Sequence, residues 1–203
     1  MSLPDSEYLV LRQTIATRGT VRMTMVPVTF IGWSATTLVL MLFSQLPVGA
    51  LLSLAVLAAG FETIHALHVG VERIGRYLQV FYEERTSTDE LSPRWETTAM
   101  AVGPTLPGGG VDPLFSILFL SATALNLMPM ALPGVSTVEA VVIGALHLAL
   151  AVRIVRARAA AARQRAVELE RYRQLRSGGA AEGEATMARG NSHEGHEKKE
   201  QTS

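Results

Sequence analysis

The sequence predicts an all-α integral membrane protein: four transmembrane helices in two hairpins, helices 2 and 4 extended beyond the bilayer, and a disordered C-terminal tail. Three observations predict it. Charge is segregated along the chain. Residues 23–71 contain one Asp, Glu, Lys or Arg, Glu62, and residues 97–152 contain two, Asp112 and Glu139. A water-soluble core does not read this way, whereas lipid-immersed helices do. The apolar runs between turn signals approach the ~20 residues that a helix needs to cross a hydrocarbon layer. Finally, arginines cluster on alternate connections. Arg12, Arg18 and Arg22 precede the first run, Arg73, Arg76, Arg85 and Arg94 follow the second, and Arg153, Arg156 and Arg158 close the fourth. The other two connections, SQLPVG and MPMALPGVSTV, have neither Lys nor Arg. Positively charged loops stay on the cytoplasmic side, so both termini and the long middle loop are expected there.

The elements follow in order. Residues 1–22 are expected to form a short amphipathic cytoplasmic helix, capped by Asp5 or Ser6 and ended by Gly19. The first hairpin occupies 23–72. Its first span runs from Met23 to Phe43, with Pro27 in the opening turns, where a missing N–H costs least. Its second span starts near Pro47, leaves the bilayer near Val69 to Arg73, and continues as VERIGRYLQVFYEER without a breaker beyond Gly70 and Gly75. Residues 73–112 hold that extension and a loop with a short helix after Pro93; GPTLPGGG is its hinge. Asp112 and Pro113 supply an N-cap and N1 pair that opens the second hairpin, 113–155. Its spans run from Pro113 to Met128 or Leu132, and from Val135 to Val155. Residues 156–176 are Ala-, Arg- and Glu-rich and read as a cytoplasmic continuation of the fourth helix. Residues 177–203 have almost no bulky apolar side chains and read as disordered.

Several function classes fall away. The chain has no cysteine, which removes disulfides, thiolate nucleophiles and cysteine-ligated metal centres. Its formal net charge is zero, so no global field attracts nucleic acid. No phosphate loop, nucleophile elbow or zincin motif is present, and enzymatic activity is not expected. The first nineteen residues are polar and acidic at the start and do not resemble a cleavable leader.

The chemistry-bearing residues lie within the apolar runs. At 100° per residue, Glu62, His65, His68, Glu72, Arg76, Gln79 and Glu83 fall within an arc of about 120° and form one polar stripe on helix 2. Small residues Ala55 and Ala58 continue its face outward, which turns the stripe toward the bundle. In the fourth span Glu139 and His147 share a side, and Asn126 lies on the third. Counting ~1.5 Å per residue from the outer ends places His147 roughly 18 Å deep and Glu62 and His65 roughly 22–27 Å deep. Two polar layers are therefore expected: an inner one of Glu62, His65, His68 and His147, and an outer one of Asn126 and Glu139.

Three uses suit such a cluster. Glu62-x-x-His65 has the spacing of di-iron carboxylate bundles, and histidines on facing helices can hold haem, so a metal or haem would take Glu62, His65 and His147. A single such motif is short of a di-iron set. A carboxylate beside imidazoles can also bind a ligand or move protons. The third use is structural, a hydrogen-bonded polar core that fixes helix register. Beyond the fourth span, eight Arg against two Glu between 153 and 176 offer contact with lipid headgroups or a partner, led by Arg153, Arg156, Arg158, Arg163 and Arg165. His193 and His196 form an H-x-x-H in a polar tail with no scaffold around it. The leading functional reading is a small multi-pass protein of a bacterial inner membrane, an accessory or scaffolding subunit that forms a homo-oligomer or joins a larger complex. The rival is a proton-coupled transporter or channel subunit, or a redox protein, built on the Glu/His cluster.

Overall fold

The computed structural model describes residues 3–43, 49–84, 95–102, 113–128 and 135–200. They are helical almost throughout: α1 (Leu3–Phe43), α2 (Gly49–Leu78), α3 (Trp95–Val102), α4 (Pro113–Leu125) and α5 (Thr137–Glu200). α2 continues without a break through a π-helical turn, Gln79–Glu83, closed by the Glu84 N–H donating to the Gln79 carbonyl at 2.9 Å. Three stretches are long and apolar enough to cross a membrane: Ser6–Phe43, Gly49–Glu83 and Thr137–Gly178.

α1 and α2 pack antiparallel. Contacts pass from Leu40 on Gly49, through Thr37 on Ser53 and Thr29 on Gly60, to Arg22 on His68 and Tyr8 on Tyr82. α5 runs parallel to α2: Glu62 meets Arg153, Glu72 meets Arg165, Arg76 meets Glu168, and Glu84 meets Arg173. α4 fills the remaining side, its Phe119 wedged against Phe30 of α1 (5.2 Å between ring centroids) and Phe61 of α2 (5.5 Å). Leu57, Phe119 and Ile154 are completely buried at the centre. Large apolar side chains such as Ile31, Phe43 and Val138 point outward, a distribution suited to lipid rather than water. Close packing and interhelical hydrogen bonds therefore hold the helices together, because lipid tails are as apolar as the core itself.

Four expectations are corrected. The N-terminal segment is not a separate helix, because α1 runs straight through Gly19. One glycine costs about 1 kcal/mol in a helix interior. Helix-to-helix contacts on both sides of it, Tyr8 on Tyr82 before it and Arg22 on His68 after it, hold the segment straight. Pro27 consequently stands in mid-helix, where it leaves the Met23 carbonyl without its usual amide donor. The third apolar helix is shorter than expected. α4 ends at Leu125, and at ~1.5 Å per residue its thirteen residues cover only about 20 Å. Lastly, the segment read as a disordered tail is helical to Glu200. Its sequence, AAEGEATMAR, has strong helix formers that extend α5 even without bulky side chains to pack. The expected turns at 44–48 and 129–134 and the glycine-rich hinge at 103–110 lie outside the described residues, as does Asp112.

Candidate functional site

The polar residues of the bundle gather at three levels. At the first, Asn126 follows the last turn of α4 and is buried together with His147. Its side-chain amide donates one hydrogen to the Ala50 carbonyl (2.8 Å) and one to His147 Nε2 (3.0 Å), and its oxygen accepts from Trp33 Nε1 (3.2 Å). With Nε2 accepting, His147 Nδ1 carries the ring proton and donates to the Ile143 carbonyl at 2.8 Å. One amide thus ties α1, α2, α4 and α5 together, with both of its N–H donors used. Glu139, expected beside Asn126, is instead partly exposed at the start of α5. Its carboxylate accepts from the Ser136 N–H (3.0 Å) and hydroxyl (2.8 Å), and the Ser136 hydroxyl accepts from the Glu139 N–H (3.2 Å). This is a reciprocal capping box, legible in the sequence as Ser136-Thr137-Val138-Glu139. Replacing Glu139 by alanine is expected to fray the helix start, read as faster amide exchange confined to the first turn of α5.

The second level does not form the expected layer. Glu62 lies on the outside, its side chain 48% exposed, in an ion pair with Arg153 at 2.8 Å. His65 stacks on Phe61 with its ring nearly parallel and 5.8 Å away. His147 is out of reach of both. The depth count put the outer ends of helices 2 and 4 level, whereas His147, ten residues into α5, lies beside Ala50 at the very start of α2. Glu62, His65 and His147 are therefore not assembled as metal ligands. Among the described residues no group of three His, Cys, Asp or Glu is placed to hold an ion. His68, by contrast, is buried, and its Nδ1 lies 2.7 Å from Arg22 Nη1. Arginine only donates, so Nδ1 accepts and the His68 proton is on Nε2. These two side chains border a narrow cleft lined also by Phe61, Phe115, Phe119 and Ile154, with Arg158 at its rim.

The third level lies beyond the apolar part of the helices. Arg76 is buried, its side chain 2% exposed. It donates to Glu168 (Nη2 at 2.6 Å, Nε at 3.1 Å) and to Glu72 (3.3 Å). Arg165 closes on Glu72 at 2.6 Å, Arg73 on Glu168 at 3.0 Å, and Gln164 on Glu168 at 2.5 Å. Burial pushes the Glu168 carboxyl up, but hydrogen bonds from Arg76, Arg73 and Gln164 outweigh it and hold the group below the ordinary glutamate range. Further along, Arg173 pairs with Glu84 at 2.7 Å, and Arg176 donates to the Val80 carbonyl at 2.8 Å. Buried Glu83 caps α3, accepting from the Glu96 and Thr97 N–H groups, both at 2.7 Å. Glu96 pairs with Arg12 of α1. Burial raises the Glu96 carboxyl, and the neighbouring Glu83 adds to that against the pull of Arg12, so the net shift is upward.

Of the arginines expected to meet lipid or a partner, Arg153 and Arg165 are engaged within the chain, and Arg163 Nε donates to the Ala159 carbonyl. Arg156 and Arg158 are exposed, without an ion partner among the described residues. Sequence reasoning missed Trp33, Arg22 and Glu168. Each meets its partner through the fold, 93, 46 and 92 positions apart, so no local spacing announces them. The chain matches no family model, no curated protein and no solved structure.

Proposed function

We propose that this chain is a multi-pass membrane protein that crosses the bilayer four times as two hairpins, α1–α2 and α4–α5, and acts as a self-associating scaffolding subunit. On this reading α4, with the apolar Leu127 and Met128 beyond it, makes the short third crossing. Arg18, Arg22, Arg73, Arg76, Arg156 and Arg158 share one end of the bundle, which the positive-inside rule assigns to the cytoplasm with both termini. There the parallel α2–α5 pair stands clear of the lipid as a stalk and offers a surface to partners.

The observation that carries self-association is the outward Glu62–Arg153 pair. It lies in an open groove between α2 and α5 that also contains Ala55, Ala58 and Ala149. Glu62 is thirteen residues into α2, about 20 Å along it, at a depth that lipid tails occupy. A charged group there costs roughly 2.5–3.5 kcal/mol against lipid. A second copy lowers that cost, because Glu62 of each copy can meet Arg153 of the other across a two-fold axis, and the alanines permit close approach.

The chain has no cysteine, so the test is clean. Ala55→Cys, exposed in the groove, is expected to form a disulfide-linked dimer when native membranes are oxidised. Ile31→Cys, on the outer face of α1 and 69% exposed, is expected to remain monomeric. Equal cross-linking at both positions, or none at position 55, would end the reading. Glu62→Arg should disperse the dimer, and adding Arg153→Glu should restore it.

A further inference from the structure

We infer that the cavity bordered by Arg22, His68 and Arg158 binds the phosphate of an anionic phospholipid, with the top of an acyl chain lying against Phe61, Phe115 and Phe119. The inference rests on the membrane placement proposed above, though not on self-association.

Four features converge on this ligand. The cavity has a polar rim and an apolar floor, and no carboxylate among the described residues lines it. The rim carries two guanidinium groups. Arg158 has no ion partner among the described residues, and Arg22 lies over the Phe115 ring at 5.7 Å with Nη1 held against His68. Two donors in it are spare. Arg22 Nε and His68 Nε2 are both buried without a hydrogen-bond partner, although His68 as a residue is only 8% exposed. Glu72 Oε1 is 3.5 Å from His68 Nε2, beyond hydrogen-bond reach, and is already paired with Arg165. A buried N–H left without an acceptor costs about 1–3 kcal/mol. Phosphate oxygens would satisfy both, and paired arginines recognise phosphate better than any other side chains. The depth is also right. His68 is nineteen residues into α2, roughly 28 Å along it, where the hydrocarbon gives way to headgroups, and Arg158 borders the same cleft. The aromatic floor lies on the lipid-tail side of that level.

The measurement is lipid retention by the intact chain, solubilised from an equimolar mixture of phosphatidylglycerol and phosphatidylcholine and weighed by native mass spectrometry. Phosphatidylglycerol is expected to be retained over phosphatidylcholine. Arg158→Gln and Arg22→Gln should each weaken that preference roughly tenfold, whereas Arg171→Gln, on the exposed stalk, should leave it unchanged. Arg158 is exposed and unpaired, so its variant folds even if Arg22→Gln does not. Glycerol phosphate, which has the charge but no chain, should fail to displace the lipid. Full retention in Arg158→Gln overturns the inference. So does displacement by glycerol phosphate at matched concentration, which would mark a free-phosphate site. Loss of the position-55 cross-link with lipid preference intact would sink the scaffold reading alone; the converse result would sink only this one.

Discussion

Arg76→Ala is expected to open the α2–α5 stalk while leaving the membrane bundle folded. Among the described residues Arg76 is the one cation shared by Glu72 and Glu168, and it is almost completely buried. Removing it leaves two carboxylates, each only 12–16% exposed, with Arg165 and Arg73 as partial compensation. Breaking a buried ion network from one side costs about 3–5 kcal/mol, since the partner charge stays desolvated. The loss falls on residues 73–83 and 164–176. Amide exchange there should accelerate by two to three orders of magnitude, at about 1.4 kcal/mol per tenfold, with no change near Leu57 or Ile154. Neutralising the set, Arg76→Met with Glu72→Gln and Glu168→Gln, should recover part of the protection, because the cations then left without a partner, Arg165 and Arg73, are more exposed than the two carboxylates that Arg76→Ala strands. Acid supplies an independent check. The folded pKa of Glu168 lies below its unfolded value, so the folded state binds fewer protons. Its contribution to stability is present above the unfolded pKa, about 4.3, and is lost as pH falls through the folded value. The gap between wild type and Arg76→Ala should therefore narrow below about pH 4. A gap independent of pH, or protection unchanged in Arg76→Ala, would mean that packing rather than charge joins the stalk.

Arg76 also shows how far the sequence could be read. The long apolar runs, the continuation of helices 2 and 4, and the polar stripe on helix 2 all follow from composition and a 3.6-residue period, which depend on each helix alone. The stripe is real: His68, Arg76, Gln79 and Glu83 are buried. Its failure is at one edge. Glu62 sits about 60° from the stripe's centre, and on a helix with neighbours on three sides that angle separates the interior from the lipid face. Which edge is covered depends on where α5 lies, and no single-helix projection contains that. The depth error has the same origin. Helix ends were matched to an assumed flat boundary, while α5 begins above α2, so His147 found Asn126 instead of Glu62. Pairing between helices such as Arg76–Glu168 is likewise a property of offset: α2 and α5 are in parallel register about 92 residues apart. By contrast, the Ser136–Glu139 box is a local signal that the sequence does contain, a serine three positions before a glutamate at the head of an apolar run, and it accounts for that acidic residue as a cap rather than a site.

Gly60→Ala is expected to destabilise the whole α1–α2 pair, by about 1–3 kcal/mol as overpacking and at the upper end of that range. A methyl group at this position would overlap the Thr29 side chain, coming within 2.8 Å even of its Cβ, which no rotation can move. Thr29 is 5% exposed, and its hydroxyl is committed to the Met25 carbonyl at 2.7 Å. The strain therefore passes to the backbone, and α1 must tilt off α2. The controls are glycines of α1 and α5 with room to spare. At Gly32 an added methyl lies 3.7 Å from Val56, an ordinary contact, and at Gly144 it meets nothing. There the exchange should stabilise by up to ~1 kcal/mol through helix propensity. The reciprocal swap, Gly60→Ala with Thr29→Gly, moves the notch from one helix to the other and should restore most of the loss, read as the thermal midpoint in detergent. The consequence reaches the cavity. Thr29 and Gly60 stand two turns from Arg22 and His68 on the same pair of helices, so a wedge between the first pair separates the second and detaches Arg22 from the rim. Gly60→Ala should thus lower anionic lipid retention together with stability, and the reciprocal swap should return both. A Gly60→Ala protein as stable as Gly144→Ala would show that α1 and α2 never approach so closely, and the rim that depends on their approach would lose its support.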